Sequence, residues 1–66
     1  MSERTKKYVL LMAAQMLRDD ADELARCFKT ADGAWDHNVE CIAEIVEVHN
    51  RRVLVAGELE SFSEAA

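Results

Sequence analysis

Val39-Glu40-Cys41-Ile42-Ala43-Glu44-Ile45-Val46-Glu47-Val48-His49-Asn50-Arg51-Arg52-Val53-Leu54-Val55-Ala56 is the stretch that decides the fold. Two readings compete over it. Its Val and Ile residues between 45 and 55 suit strands, with His49-Asn50-Arg51-Arg52 as a hairpin turn. Strict alternation is absent, however. Val39, Ile42, Val46, His49, Val53 and Ala56 recur at spacings of three and four, while Glu40, Glu44, Glu47 and Arg51 repeat at similar spacings on the other side. The polar repeat decides for a helix.

Toward the N-terminus, Leu10, Ala14, Leu17, Ala21, Leu24, Phe28 and Ala31 alternate at spacings of four and three, one continuous helical stripe over about 3–31. Ser2 is the expected N-cap. Glu3 with Lys7 and Asp22 with Arg26 are favourable pairs four apart, and Arg26 and Lys29 suit the helix C-terminus. The chain has no Pro, and its glycines stand only at 33 and 57. Gly33 reads as the stop of helix 1, which leaves a bend over 32–35 and turns the next element straight back. Asp36 is the expected N-cap of helix 2, with Asp32 as the alternative. Helix 2 runs over about 36–56; Gly57 either ends it or sits inside it at a cost of about 1 kcal/mol while Leu59 and Phe62 extend the apolar face to 62. The expected fold is all-α: a single domain over 1–66, an antiparallel two-helix hairpin.

Sixty-six residues make one domain at most. A chain of this size buries only about 60% of its unfolded surface, so self-association is expected. Half of the residues are apolar and regularly spaced, which excludes a disordered tail, and the composition excludes collagen-like, low-complexity and disulfide-scaffold classes. The apolar run Tyr8 to Leu17 is too short for a bilayer, which takes roughly 20 residues. Arg4, Lys6 and Lys7 precede it as a signal-peptide n-region would, but it ends in Arg18-Asp19-Asp20 without a cleavage pattern. Two cysteines, Cys27 and Cys41, make no framework, and a reducing cytoplasm is the expected setting.

At 100° per residue the helix 1 stripe occupies a narrow arc, as one partner helix requires. Helix 2 is broader: Cys41, Ile45, Val48, Val55 and Leu59 form a second apolar row, widening its arc to about 200°. These five residues are the expected interface of a homodimer, two hairpins forming a four-helix bundle. Tyr8, Val9, Met12 and Met16 fall opposite to or beside the helix 1 stripe. They are either bundle core, or capped by Leu59 and Phe62, or a surface for a different, unidentified protein. Arg52 lies within the apolar arc of helix 2. It either meets Asp20 or Glu23 across an interface or is presented to that partner.

Little here points to catalysis. There is no glycine-rich phosphate loop, no Ser, His and Asp constellation and no length for a walled pocket, so the expectation is not an enzyme and no cofactor. His49 on the inner stripe reads as a hydrogen-bonded core residue. Cys27, His37 and Cys41, with Asp36 or Glu40, offer a weak metal set; Cys27 and Cys41 alternatively form a disulfide or serve as small hydrophobes. The formal charge of -5 opposes nucleic-acid binding, although Arg4, Lys6 and Lys7 form one basic cluster and Arg51 and Arg52 another, roughly level with Gln15 and Arg18. In size, acidity and hairpin architecture the chain resembles the Rop-like family of small plasmid RNA-binding helical dimers, which makes RNA binding an alternative. A further alternative is a nucleic-acid mimic, carried by Asp19, Asp20, Asp22 and Glu23 on helix 1 and Glu40, Glu44 and Glu47 on helix 2.

The segments Ala21-Asp22-Glu23-Leu24 and Thr30-Ala31-Asp32-Gly33-Ala34-Trp35 resemble short phage and prophage proteins. That resemblance implies a mobile-element accessory protein in a bacterial cytoplasm, acting by binding a host or defence component as anti-CRISPR and anti-quorum-sensing proteins do.

Overall fold

The computed structural model describes residues 2–65; positions 1 and 66, the ends of the domain read over 1–66, lie outside the described residues. Two helices, α1 (Glu3–Phe28) and α2 (Ile42–Ala65), pack as an antiparallel hairpin, and the described residues contain no strand beyond a single antiparallel bridge between Lys29 and Trp35. At 1.5 Å per residue the 26 residues of α1 and 24 of α2 make arms of about 39 and 36 Å.

Ser2 caps α1 as expected, its Oγ accepting from the Thr5 N–H at 3.2 Å. The other end differs from the expected one. Helix 1 stops at Phe28, before Ala31 and Gly33, because the linker's own polar side chains compete for the backbone. The Thr30 hydroxyl donates to the Asp32 carboxylate, which also accepts from Ala34 N–H at 3.3 Å, while Thr30 N–H donates to Ala34 C=O at 2.8 Å and Asp36 N–H to Phe28 C=O at 2.9 Å. These bonds hold the Asp32 carboxyl below the usual carboxylate range, Thr30 first and Ala34 second. Gly33 serves this turn at φ 87°, not a helix end.

Helix 2 likewise starts later than expected. Asp36 caps a local turn, accepting from Asn38 N–H at 3.0 Å, and the helix begins only at Ile42. The bend therefore covers residues 29–41 instead of 32–35. Val39 and Cys41 belong to it, which removes Cys41 from the second apolar row. Cys41 reverses the chain into α2 with φ 64°, a left-handed conformation that costs a residue with a Cβ roughly 1 kcal/mol. Cys41→Gly is accordingly expected to melt above Cys41→Ala in reductant, and equal melting temperatures would show that this conformation carries no cost here.

Packing of the linker is aromatic. Trp35 meets the half-buried His49 edge-on, ring centroids 5.0 Å apart, and Lys29 Nζ lies 4.9 Å from the Trp35 ring centre. Helix 2 runs through Gly57 to Ala65 despite a lost propensity of about 1 kcal/mol, and its last turns carry the buried Ser63 and Glu60, the partner of Arg18.

That pairing marks a register reset by the longer bend. Arg18 stands level with Glu60, not with Arg51 and Arg52; eight residues from Arg52 to Glu60 are a slide of about 12 Å. Arg18 Nε donates to Glu60 Oε2 at 3.1 Å and Nη2 to Oε1 at 2.5 Å, a two-pronged pair across the hairpin. This hydrogen bonding, then the mutual charge, pushes the Arg18 pKa further up; the same bond holds the Glu60 carboxyl below its ordinary range. A depressed carboxyl stabilises above its unfolded pKa, about 4.3, and that stability fades as pH falls through the lower folded value. Glu60→Gln is thus expected to melt below the parent at pH 7, with the gap closing below about pH 4; a gap unchanged at pH 3 would assign the effect to packing.

The seam consists of small residues. Ala14, Ala21, Ala56 and Ser63 are the described residues that are buried, so the helices approach closely, and no buried side-chain polar atom lacks a partner among the described residues. Ser63 Oγ donates to Glu60 C=O at 2.7 Å. The large apolar side chains flank this seam half covered. The accessible surface, 5034 Å², exceeds the roughly 4,200 Å² of a compact chain of this mass. A radius of gyration of 14.7 Å against about 11 Å for a globule of this length says the same. The hairpin is a rod of 48 × 17 × 16 Å.

Candidate protein-binding surface

Ala14 and Ala21 fix which side of α1 meets α2, and 100° steps place Tyr8, Met12, Met16 and Val9 around the diametrically opposite direction. All four are exposed, Tyr8 to 64% and Met16 to 65%. Neither Leu59 nor Phe62 folds over them: Phe62 is itself 63% exposed and lies with Lys6 and Leu10 on another flank of the rod. Tyr8, Met12 and Met16 follow one another at i, i+4 and i+8, a row of anchors along one helix face. Three contiguous large side chains of this kind are not what a monomer ordinarily leaves in water.

The same face turns acidic toward its C-terminal end. Asp19 and Glu23 continue the line of Tyr8, Met12 and Met16. Gln15 Nε2 donates to Asp19 Oδ1 at 2.9 Å, Arg26 Nη2 to Glu23 Oε2 at 2.5 Å, and Cys27 Sγ to Glu23 Oε1 at 3.8 Å. Arg26 therefore pairs with Glu23 three residues back, where the sequence suggested Asp22.

Arg52 is half-buried beside Leu17, Val48, Arg51 and Val55, which line an open groove of about 340 Å³. Among the described residues it forms no ion pair within the hairpin, neither with Asp20 nor with Glu23. Ile45 and Leu59 are half-buried on the same helix, and Val48 and Val55 are exposed. Two residues of the basic groups are paired, Arg18 with Glu60 and Arg51 with Glu47 at 2.7 Å, while Arg51 lines the same groove as Arg52. The second of those pairs engages Glu47 of the acidic row Glu40, Glu44 and Glu47, of which Glu40 lies in the bend and not on α2.

Cys27 and Cys41 are free and exposed, so no disulfide clamps the hairpin. No three His, Cys, Asp or Glu side chains converge to hold a metal ion among the described residues. His49, read as a hydrogen-bonded inner residue, has Nδ1 3.0 Å from Asn50 Oδ1 and its ring against Trp35. Residue spacing did not reveal the Trp35 contact or the exposed Leu54; the turn chemistry of Thr30 and Asp32 was the available signal for the first.

Fold and surface together define a small all-α helical hairpin that carries an exposed apolar strip on its first arm. Comparison with protein-family models, with characterised protein sequences and with solved structures finds no match to the chain. No helix among the described residues is long and apolar enough to cross a membrane.

Proposed function

We propose that this chain is a non-enzymatic binding protein: a hairpin that pairs with itself into a four-helix bundle and uses the outer face of α1 to bind and inhibit another protein. The observation that carries the reading is the strip Tyr8, Val9, Met12 and Met16, exposed on the side of α1 that faces away from α2. Its chemistry describes the partner. Apolar anchors at i, i+4 and i+8 suit a hydrophobic groove, and Asp19 and Glu23 at the end of the line suit Lys or Arg at that groove's rim. The resemblance to phage and prophage accessory proteins makes a host or defence factor the natural target and a bacterial cytoplasm the setting.

The test is photo-crosslinking in cells, with a photoreactive residue at position 16 and a control at position 50. A discrete adduct to a second protein is expected from position 16 alone, and it is expected to vanish in Tyr8→Ala with Met12→Asp. Identical adducts from both positions, or an adduct that survives the double substitution, would overturn the assignment of the surface.

A further inference from the structure

The flank of the hairpin opposite the Arg18–Glu60 pair is one continuous apolar face. Helical steps from the buried seam turn Leu10, Leu17 and Leu24 toward one side of α1, and Arg52, Leu59, Val48, Val55 and Phe62 toward one side of α2. Two grooves identify these as the same side of the rod. Leu17, Val48, Arg52 and Val55 line one, and Leu10 and Phe62 line the other, Phe62 also reaching round to the groove beside Arg18. The strip proposed for the heterologous partner centres on Tyr8 and Met12, away from α2, and adjoins this face at Val9.

We infer that this face is covered by a second copy of the chain, packed face to face, with Arg52 of each copy paired to Asp20 of the other. The inference rests on the self-association that belongs to the proposed function, and it names the surface and the polar contact.

Area is the first argument. The hairpin exposes about 800 Å² more than a compact chain of its mass, from 5034 Å² against roughly 4,200 Å². A stable interface removes about 800 Å² from each partner. Charge is the second. Arg52 is half-buried in the middle of the face with no carboxylate bonded to it among the described residues, an arrangement that favours an outside partner. Asp20 sits at the edge of the same flank of α1, exposed and free of hydrogen bonds and ion pairs among the described residues. A two-fold axis brings two such pairs together, so a single complementarity is used twice.

Size-exclusion light scattering over a concentration series, in reductant, tests this. The parent is expected to run as a dimer. Val48→Glu with Val55→Glu is expected to give a helical monomer, since both side chains are already exposed in the hairpin. Arg52→Glu is expected to raise the dimer dissociation constant at least tenfold, and Arg52→Glu with Asp20→Arg to recover most of that loss. A monomeric parent at 100 μM would overturn self-association altogether. A dimer indifferent to Val48→Glu with Val55→Glu would leave self-association standing and overturn this face. Failure of the charge reversal to recover affinity would overturn the Arg52–Asp20 pairing. Should the Val48 and Val55 double variant fail to fold, a photoreactive residue at position 55 in the parent decides the face. A chain-to-chain adduct at Ala13, Leu17, Asp20 or Leu24 supports it, and adducts confined to Tyr8, Met12 or Met16 overturn it.

Discussion

Ala56→Leu is expected to lower the stability of the hairpin by about 1–3 kcal/mol, because Ala56 is fully buried and the seam it belongs to is closed by small side chains only. Three added carbons at that position have nowhere to go but between the helices. They would push α2 off Ala14 and Ala21 and pull Glu60 away from Arg18. A 66-residue domain holds roughly 3–10 kcal/mol in total, so the change removes a large share of it. At about 4–8 °C per kcal/mol for a domain of this size, the melting temperature should fall by roughly 5–20 °C. Ala43→Leu, at an exposed position of the same helix, is the control, since Ala and Leu differ little in helix propensity. Thermal melts followed by far-UV circular dichroism compare the two. Equal shifts at 43 and 56 would mean that the close approach of the helices is not what holds them.

Tyr8→Ala with Met12→Asp is expected to do the reverse, leaving the fold intact and removing the partner. Both side chains are largely in water, so the loss of hairpin stability should stay near the roughly 0.5 kcal/mol typical of surface changes plus the modest helix penalty of Asp. An apolar anchor at the centre of an interface contributes about 2 kcal/mol or more, about thirtyfold in affinity, and a carboxylate forced into an apolar groove adds desolvation to that loss. Together the two changes should weaken binding by about a thousandfold. Unchanged helical content with lost binding supports the assignment; loss of helical content would place the strip in a structural role.

The Arg18–Glu60 and Cys41 variants probe smaller effects, yet they bear on the same question, the register. Each surface of the hairpin depends on which residue of α2 stands beside which residue of α1. A chain with the shorter bend would set Arg18 near Arg51 and Arg52, two like charges in place of an ion pair.

The helical class, the two arms and their antiparallel return were legible in the residue spacing. Period is a local property, and the stripes Leu10 to Phe28 and Ile42 to Ala56 carry it without help from the rest of the chain. So was the Ser2 cap; rotation about one helix axis set Tyr8 and Met12 opposite the stripe but left core, cap and open surface as alternatives, and the structure leaves them exposed. The helix ends were not legible. Ala31 fits the periodic pattern of α1, and Val39 that of α2, but Thr30, Asp32 and Asp36 offer the backbone hydrogen bonds that compete with helical ones, and the stronger local set prevails. Nor was Gly57 decidable alone, because its helical cost is local while the contact of Glu60 beyond it, with Arg18, is made across to the other arm.

Two helices, an acidic exterior and more apolar surface than one hairpin can hide follow from residue order and composition. Where the helices stop, how far one slides along the other, the seam of small residues, and the pairing of Arg18 with Glu60 while Arg52 stays unpaired within the described part of the hairpin emerge in the folded chain. The reason is that helix period is set by neighbours three and four residues away, whereas register is set by groups brought together only after the chain has turned.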